Sequence, residues 1–507
     1  MKKGRVMRMS ANLSKSLYCS GVQCPKMLWM KKHRPELFDQ SVLNQAVLDT
    51  GSDVGDLAMG LFGDYTEVPY GDLNGMIAET KRLLANDTGI IAEASFDADG
   101  LFCSVDILKN LGGGKLELYE VKSSTSVHEI YLHDVAYQVY VLKKAGLDVV
   151  KACLVHTNRE YVRGETLEIG QLFTIEDLTE TVMQMQSETA ERIAMLKALI
   201  RDEAEPSLRL GEHCFSPYAC GFWAHCSESL PEKNVFALSG MQLKTKCKYY
   251  DEGIVSFEDL EAKAKLNAGQ RMQICYELHD MEDHIETEEI RKFMKTLTYP
   301  LYFLDFESFA PAIPLYKDSK PYDQIVFQYS LHYIEEEGAP LQHKEFLAMP
   351  GEDSRRSLAE QLCRDIPQGA CTLAYNMTFE KTRITELAKL YPDLSAQLMD
   401  IAENMHDLMI PFRKKQYYSK EMHGSYSIKY VLPALFPGDP DLDYHNLTDV
   451  HNGSEASAAF AAMGKMTPDE RTVCRNNLLQ YCCLDTYAMV KLWEKMRAVV
   501  AGVVYTK

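Results

Sequence analysis

The run from Gly89 to Lys122 constrains the fold more than any other part of the sequence. Three strand-like stretches (Gly89 to Phe96, Leu101 to Leu108, Lys115 to Val121) follow one another closely, and Gly112-Gly113-Gly114 separates the last two. Glycine reaches the positive φ that a tight reversal needs, so the last two stretches are expected to form a hairpin. A helix is predicted from Asp134 to Lys144, with Gly146 ending it. Strands followed closely by a helix imply a mixed α/β domain.

At 507 residues the chain exceeds what a single core supports. The expected division is an α/β domain over 1–230, a polar helical connector over 231–297 and a second α/β domain over 298–507. The last begins with the buried-strand pattern after Tyr299-Pro300, so a fragment from about Thr298 is expected to fold alone. The N-terminal MKKGRVMRMSANLSKS has basic residues but no apolar stretch behind them, unlike a secretory signal. No window has the length and apolarity of a spanning helix, so a cytoplasmic protein without a membrane partner is expected. Fourteen cysteines in such a chain imply reduced thiols, some of them metal ligands. A net charge of −19 argues against a uniformly basic surface. Carboxylates that hold cations enter that total, however, and Phe412-Arg413-Lys414-Lys415 offers a local contact for phosphate.

Two groups of acids stand out. In Ser104-Val105-Asp106-Ile107-Leu108 a carboxylate interrupts an apolar strand, and in Leu118-Tyr119-Glu120-Val121-Lys122 Glu120 and Lys122 share one face. Across a hairpin, Asp106 and Glu120 could share a hard cation such as Mg²⁺ or Mn²⁺, with Lys122 beside the attacking water. Read singly, the same residues fit a half-exposed strand with ordinary charges. Together they resemble the PD-(D/E)XK nucleases, in the branch that includes RecB, which implies a restriction-endonuclease-like fold. By that resemblance Gln138, in Ala136-Tyr137-Gln138-Val139-Tyr140, matches the branch's helical glutamine, although a solvated helix residue reads the same way. Glu93 is a further candidate ligand for metal or water. The branch often places a histidine in an early helix after a glycine; Gly51-Ser52-Asp53-Val54-Gly55-Asp56 has none.

Cys24 precedes this region, and Cys214, Cys220 and Cys226 follow it at equal intervals. Four thiolates can ligate an iron–sulfur cluster or Zn²⁺, or all four can be unligated core residues. The one-plus-three order resembles the iron–sulfur staple of AddB and of CRISPR-adaptation nucleases, which implies a 4Fe–4S cluster. Cys19, Cys103, Cys153 and the later cysteines read as small buried hydrophobes, and His213 and His225 as bystanders.

The second group spans the C-terminal part. Leu301-Tyr302-Phe303-Leu304-Asp305-Phe306-Glu307 is an apolar strand ending in two acids on one face. Glu380 lies at the start of a predicted helix, and Tyr481 and Asp485 lie one helical turn apart near the C-terminus. Four converging carboxylates would repel one another unless cations occupied the site, and two metal ions about 4 Å apart are the usual solution. The order resembles the DEDD exonucleases of the RNase H-like fold, in the subgroup whose third motif is Tyr-x3-Asp. Gly424-Ser425-Tyr426-Ser427-Ile428-Lys429 resembles that superfamily's Ser-Leu-Lys stretch, and Asp407 is placed in the element before it. Glu380 stands where the superfamily has Asp. The whole arrangement resembles bacterial proteins that join a RecB-like nuclease to a DEDDy exonuclease.

The resemblance implies a dual nuclease acting on DNA, single-stranded or at frayed ends, with RNA as the other substrate class. A single active site beside a degenerate one, or a non-catalytic adaptor that grips nucleic acid and recruits a helicase, are the alternatives. No Gly-x4-Gly-Lys-[Ser/Thr] motif is present, so any unwinding falls to a partner.

Overall fold

The triple glycine turns as expected, with all three residues at positive φ. It sits in a seven-stranded sheet made of β1 (Leu13–Ser14), β2 (Thr66–Glu67), β3 (Ile90–Ala98), β4 (Leu101–Asn110), β5 (Lys115–Lys122), β6 (Asp148–Thr157) and β7 (Phe173–Asp177). The computed structural model describes residues 12–43 and 45–502, with backbone alone over 45–49. Most of the N-terminal MKKGRVMRMSANLSKS therefore lies outside the described residues.

The chain is mixed α/β and divides into two units, Met1–Ser229 with Pro311–Asp323 and Leu230–Ala310 with Gln324–Lys507. In the first unit β2, β3, β4, β5, β6 and β7 lie in that order, with β1 joining parallel to β4. The helix expected from Asp134 begins a turn earlier and spans Glu129–Lys144. Tyr131 and Leu132 in the added turn pack against the core, which extends the helix beyond its central apolar face. Residues 311–323 belong to this unit because Ala312, Ile313 and Tyr322 pack into its core. Arg163 and the segment also exchange backbone hydrogen bonds through Ser319 and Asp318.

The second unit is built on β9 (Leu301–Phe309), β10 (Ile325–Ile334), β11 (Gln342–Leu347), β12 (Cys371–Ala374) and β13 (Met405–Asp407). Their order is β11, β10, β9, β12, β13, and a separate pair joins β8 (His284–Ile285) to β14 (Tyr417–Tyr418). β9, β10 and β11 run antiparallel, whereas β12 and β13 run parallel to β9. Side chains alternate along β9. Tyr302, Leu304 and Phe306 pack on helices Arg355–Asp365, Thr378–Leu390 and Ser395–Glu403. Leu301 and Phe303 face the long helix Pro468–Ala501, through Met489 and Trp493. That alternation turns Asp305 and Glu307 toward the long helix as well.

The stretch expected to be a separate connector belongs to the second unit. Ile290 is fully buried in its core, and Met272, Tyr276, Phe293, Met294 and Leu297 pack against the same cluster. The second unit starts at Leu230, and a fragment from Thr298 would lack these core side chains.

Candidate active sites

In the first unit, the site lies where two strands part. β4 pairs with β1 at Leu101 and Phe102, and with β5 from Ile107 to Asn110. Asp106 falls in the gap between these ladders, where its carboxylate accepts a hydrogen bond from Val121 N–H at 2.6 Å. Glu120 is 1% exposed. It accepts from Lys122 Nζ at 2.6 Å, Lys15 Nζ at 2.8 Å and Gln138 Nε2 at 2.7 Å. The structure thus brings Asp106, Glu120, Lys122 and Gln138 together. Glu93 lines the same cleft, of about 360 Å³, at a φ of 55°. A non-glycine residue held there inside a strand costs about 1–3 kcal/mol and tends to mark function.

Two partners escaped the sequence reading. Asp134 accepts from Lys122 Nζ at 2.7 Å and from Gln138 Nε2 at 2.9 Å. Its spacing of four from Gln138, on one helix face, was the available signal. Lys15, the first residue of helix Lys15–Gln23, reaches the site only because β1 pairs with a strand far along the chain. At the missing-histidine position, helix Gln45–Met59 lines the cleft with Gly51, Gly55 and Asp56.

The electrostatics divide the two principal acids. Burial, with the Glu120 charge adding to it, raises Asp106 to about 7. Burial also pushes Glu120 up, but Lys122 and Lys15 together outweigh it and hold that carboxyl below its ordinary range.

Cys24, Cys214, Cys220 and Cys226 surround one small cavity of about 20 Å³. Cys24 caps helix Pro25–His33, its Sγ accepting from Met27 N–H at 3.4 Å. Burial pushes the Cys24 thiol up to about 11, with Cys220 and Cys214 adding to the shift. Among the described residues, no three of the four sulfurs lie within 4.8 Å of one another.

In the second unit Asp305, Glu307 and Cys482 offer ligand atoms within 4.8 Å of one another. Asp485 accepts from Tyr444 Oη at 2.6 Å and is also hydrogen-bonded to Tyr481. Glu380 is 4% exposed, and its Oε2 has no hydrogen-bond partner. Burial and the charges of Asp485, Glu307 and Glu380 drive Asp305 well above the carboxylate range, and Glu307 follows for similar reasons. Burial raises Glu380 to about 8, with Asp407 adding to it, and raises Asp485 to about 6 against the pull of Tyr444, Tyr481 and Lys429. Asp407 itself is a positioning residue. Its Oδ1 accepts from the N–H groups of Asn376 and Met409, both at 3.0 Å, fixing the turn before the helix that carries Glu380. Tyr444 and Cys482 carried no signal for this placement: Tyr444 stands in the polar run Asp441-Leu442-Asp443-Tyr444-His445-Asn446, and Cys482 reads as a small buried hydrophobe of the long helix.

An acid with a raised folded-state pKa binds extra protons when folded, so its charge costs stability as pH climbs from the unfolded to the folded value. In metal-free protein, Glu380→Gln should therefore be the more stable form at high pH. The gap should widen between about pH 5 and 8, by on the order of 1–3 kcal/mol, as titrations common to both proteins cancel. Denaturant melts of the two proteins across that range measure it, and a gap that narrows with pH would contradict the buried-charge account.

A family described as Domain of unknown function (DUF2779) matches residues 302–427. The match takes in Asp305, Glu307 and Glu380 and ends before Tyr481 and Asp485. No curated protein matches the chain.

Proposed function

We propose that the protein is a metal-dependent nuclease with a RecB-like site in its first unit and a DEDDy-type 3′–5′ exonuclease site in its second. The observation that carries this reading is the second carboxylate cluster. Glu307 and Glu380 are buried and Asp305 and Asp485 half-buried; the charges of Asp485, Glu307 and Glu380 raise Asp305, those of Asp485 and Glu380 raise Glu307, and Glu380 Oε2 is left unpartnered. Such a set is costly without cations and well suited to hold them. When bound there, Mg²⁺ or Mn²⁺ would supply an activated water and charge stabilisation at the phosphate. Tyr481, hydrogen-bonded to Asp485, is placed to orient that water. The antiparallel β11, β10 and β9 followed by parallel β12 and β13 support an RNase H-like domain.

In the first unit Asp106 and Glu120, with Glu93 beside them, would hold the cation, and Lys122 would stabilise the developing charge on the phosphate. A cleft of about 990 Å³ runs from Lys122 and combines Arg159 and Lys320 with Tyr131, Tyr218 and Tyr322. Cations that track a backbone, interleaved with rings that stack on bases, suit a single strand or a frayed end. No helix of the described residues is long and apolar enough to cross a membrane. A 4Fe–4S cluster would be held by Cys24, Cys214, Cys220 and Cys226, which line one cavity, and would tie the N-terminal helices to the 214–226 segment.

A second reading, with the first site as a binding platform, draws on Lys15. Its ammonium lies 2.8 Å from Glu120 and 4.0 Å from Asp106, where a cation would otherwise sit. The two readings separate in an Asp485→Ala background, which silences the exonuclease. Mg²⁺- or Mn²⁺-dependent cutting of single-stranded DNA that persists there and falls by about 10²-fold or more with Lys122→Ala supports two active sites. Cutting that is absent before Lys122 is changed assigns the first unit to binding.

A further inference from the structure

The long helix that carries Tyr481 and Asp485 bears a second group of ligands on its flank. His332 of β10 and His343 of β11 are directly paired across the two strands, with ring centroids 4.5 Å apart. Cys483 of the long helix completes a trio whose ligand atoms all lie within 4.8 Å of one another. Glu345, two residues along β11 on the face of His343, is electrostatically coupled to both His343 and Cys483. Cys483, read from the sequence with the later cysteines as a small buried hydrophobe, is half-buried here beside the two histidines. We propose that His332, His343 and Cys483, with Glu345 beside them, form a site for a borderline-soft divalent cation such as Zn²⁺.

The hydrogen bonds around the rings fix which nitrogens carry protons. Thr486 Oγ1 lies 3.1 Å from the Cys483 carbonyl, 2.7 Å from Ser330 Oγ and 2.7 Å from His332 Nδ1. Ser330 Oγ lies 2.8 Å from His343 Nε2. One arrangement of protons satisfies all four contacts. A carbonyl only accepts, so Thr486 donates to Cys483; Thr486 must then accept from both Ser330 and His332. Ser330, having donated, accepts from His343 Nε2–H. Both tautomers follow, and they leave lone pairs on His332 Nε2 and His343 Nδ1. A ligating histidine is oriented in this way, with its other nitrogen donating to a fixed partner. Burial, reinforced by the neighbouring His343, lowers His332 to about 4, and burial also lowers His343, so both rings are neutral near pH 7.

Two imidazoles and a thiolate prefer Zn²⁺ to the hard cations suited to the carboxylate cluster. Binding would release the Cys483 thiol proton to solvent and tie the long helix to β10 and β11, two residues from Asp485. The inference stands on this geometry and does not require the nuclease reading.

Zinc retention tests it in the full chain. Wild type, His343→Ala and Cys483→Ser are dialysed with Zn²⁺ in excess Mg²⁺, and their zinc content and melting temperatures are compared. His343 is exposed on an edge strand, so its alanine variant should keep the fold, which circular dichroism checks. Each variant should retain about one equivalent less zinc than wild type, and Zn²⁺ should raise the melting temperature of wild type alone. Equal zinc content and an equal thermal shift in wild type and His343→Ala would overturn the proposal.

Discussion

Asp305→Asn should remove the exonuclease activity of the full chain, with release of nucleotides from a single strand falling by about 10³-fold or more. Asp305 projects from β9 into the buried cluster, where its charge meets those of Asp485, Glu307 and Glu380. Asparagine keeps the shape and removes the charge, so a bound cation loses a ligand it cannot replace. The same change relieves repulsion when no metal is present. The metal-free variant should therefore melt higher than wild type at neutral pH while losing activity. That pairing separates loss of metal binding from misfolding, since a misfolded variant would lose both. A variant that is inactive and less stable without metal would count against the proposed role of the cluster. Asp485→Asn should lose activity equally, with a smaller gain in stability, because Tyr444 and Tyr481 already stabilise the Asp485 charge.

Cys24→Ser should be the most damaging single change in the first unit. Cys24 begins helix Pro25–His33, whose Met27, Trp29 and Met30 form a cluster with Phe222 beside Cys220 and Cys226. This apolar group is small, and the two chain segments it joins are distant in sequence. The proposed metal centre would tie them and contribute a large fraction of a typical 5–15 kcal/mol folding free energy, because ligation and folding are coupled. Anaerobically purified wild type should carry iron and acid-labile sulfide in comparable amounts, with visible absorbance. In Cys24→Ser that absorbance should be lost and the first unit should become protease-sensitive, while the second unit survives as a resistant fragment. Wild type without iron, carrying an equivalent of zinc that Cys24→Ser loses, would replace the cluster with a zinc staple.

What the sequence revealed depended on how local the signal was. Asp106, Glu120 and Lys122 were readable because a triple glycine forces a hairpin and a period of two places Glu120 and Lys122 on one face. Asp305 and Glu307 were readable for the same reason. Asp134 carried a weaker signal, a spacing of four from Gln138 within one helix. Lys15 carried none, since a two-residue parallel pairing with β4 delivers it. The helical stretch before Thr298 looked like a connector because its exposed faces are highly charged, while Ile290 and its neighbours are spaced too sparsely to advertise a core. Residues 311–323 could not be assigned to the first unit from sequence, because the partners that anchor them, Arg163, Glu160 and Glu165, lie 151 to 160 residues away in the chain. The imidazole–thiol group was illegible for another reason. It depends on the register that sets His332 opposite His343, and no local pattern encodes that register.

On the proposed function, the carboxylates around Asp305 hold divalent cations for phosphodiester hydrolysis. The direct measurement is digestion of a 5′-labelled single-stranded oligonucleotide by the full chain, with Mg²⁺ or Mn²⁺ against chelator, beside Asp305→Asn. The expected result is a ladder of products shortened one nucleotide at a time from the 3′ end, dependent on the metal and missing in the variant. No shortening by wild type with either cation, or an identical ladder from wild type and Asp305→Asn, would contradict it.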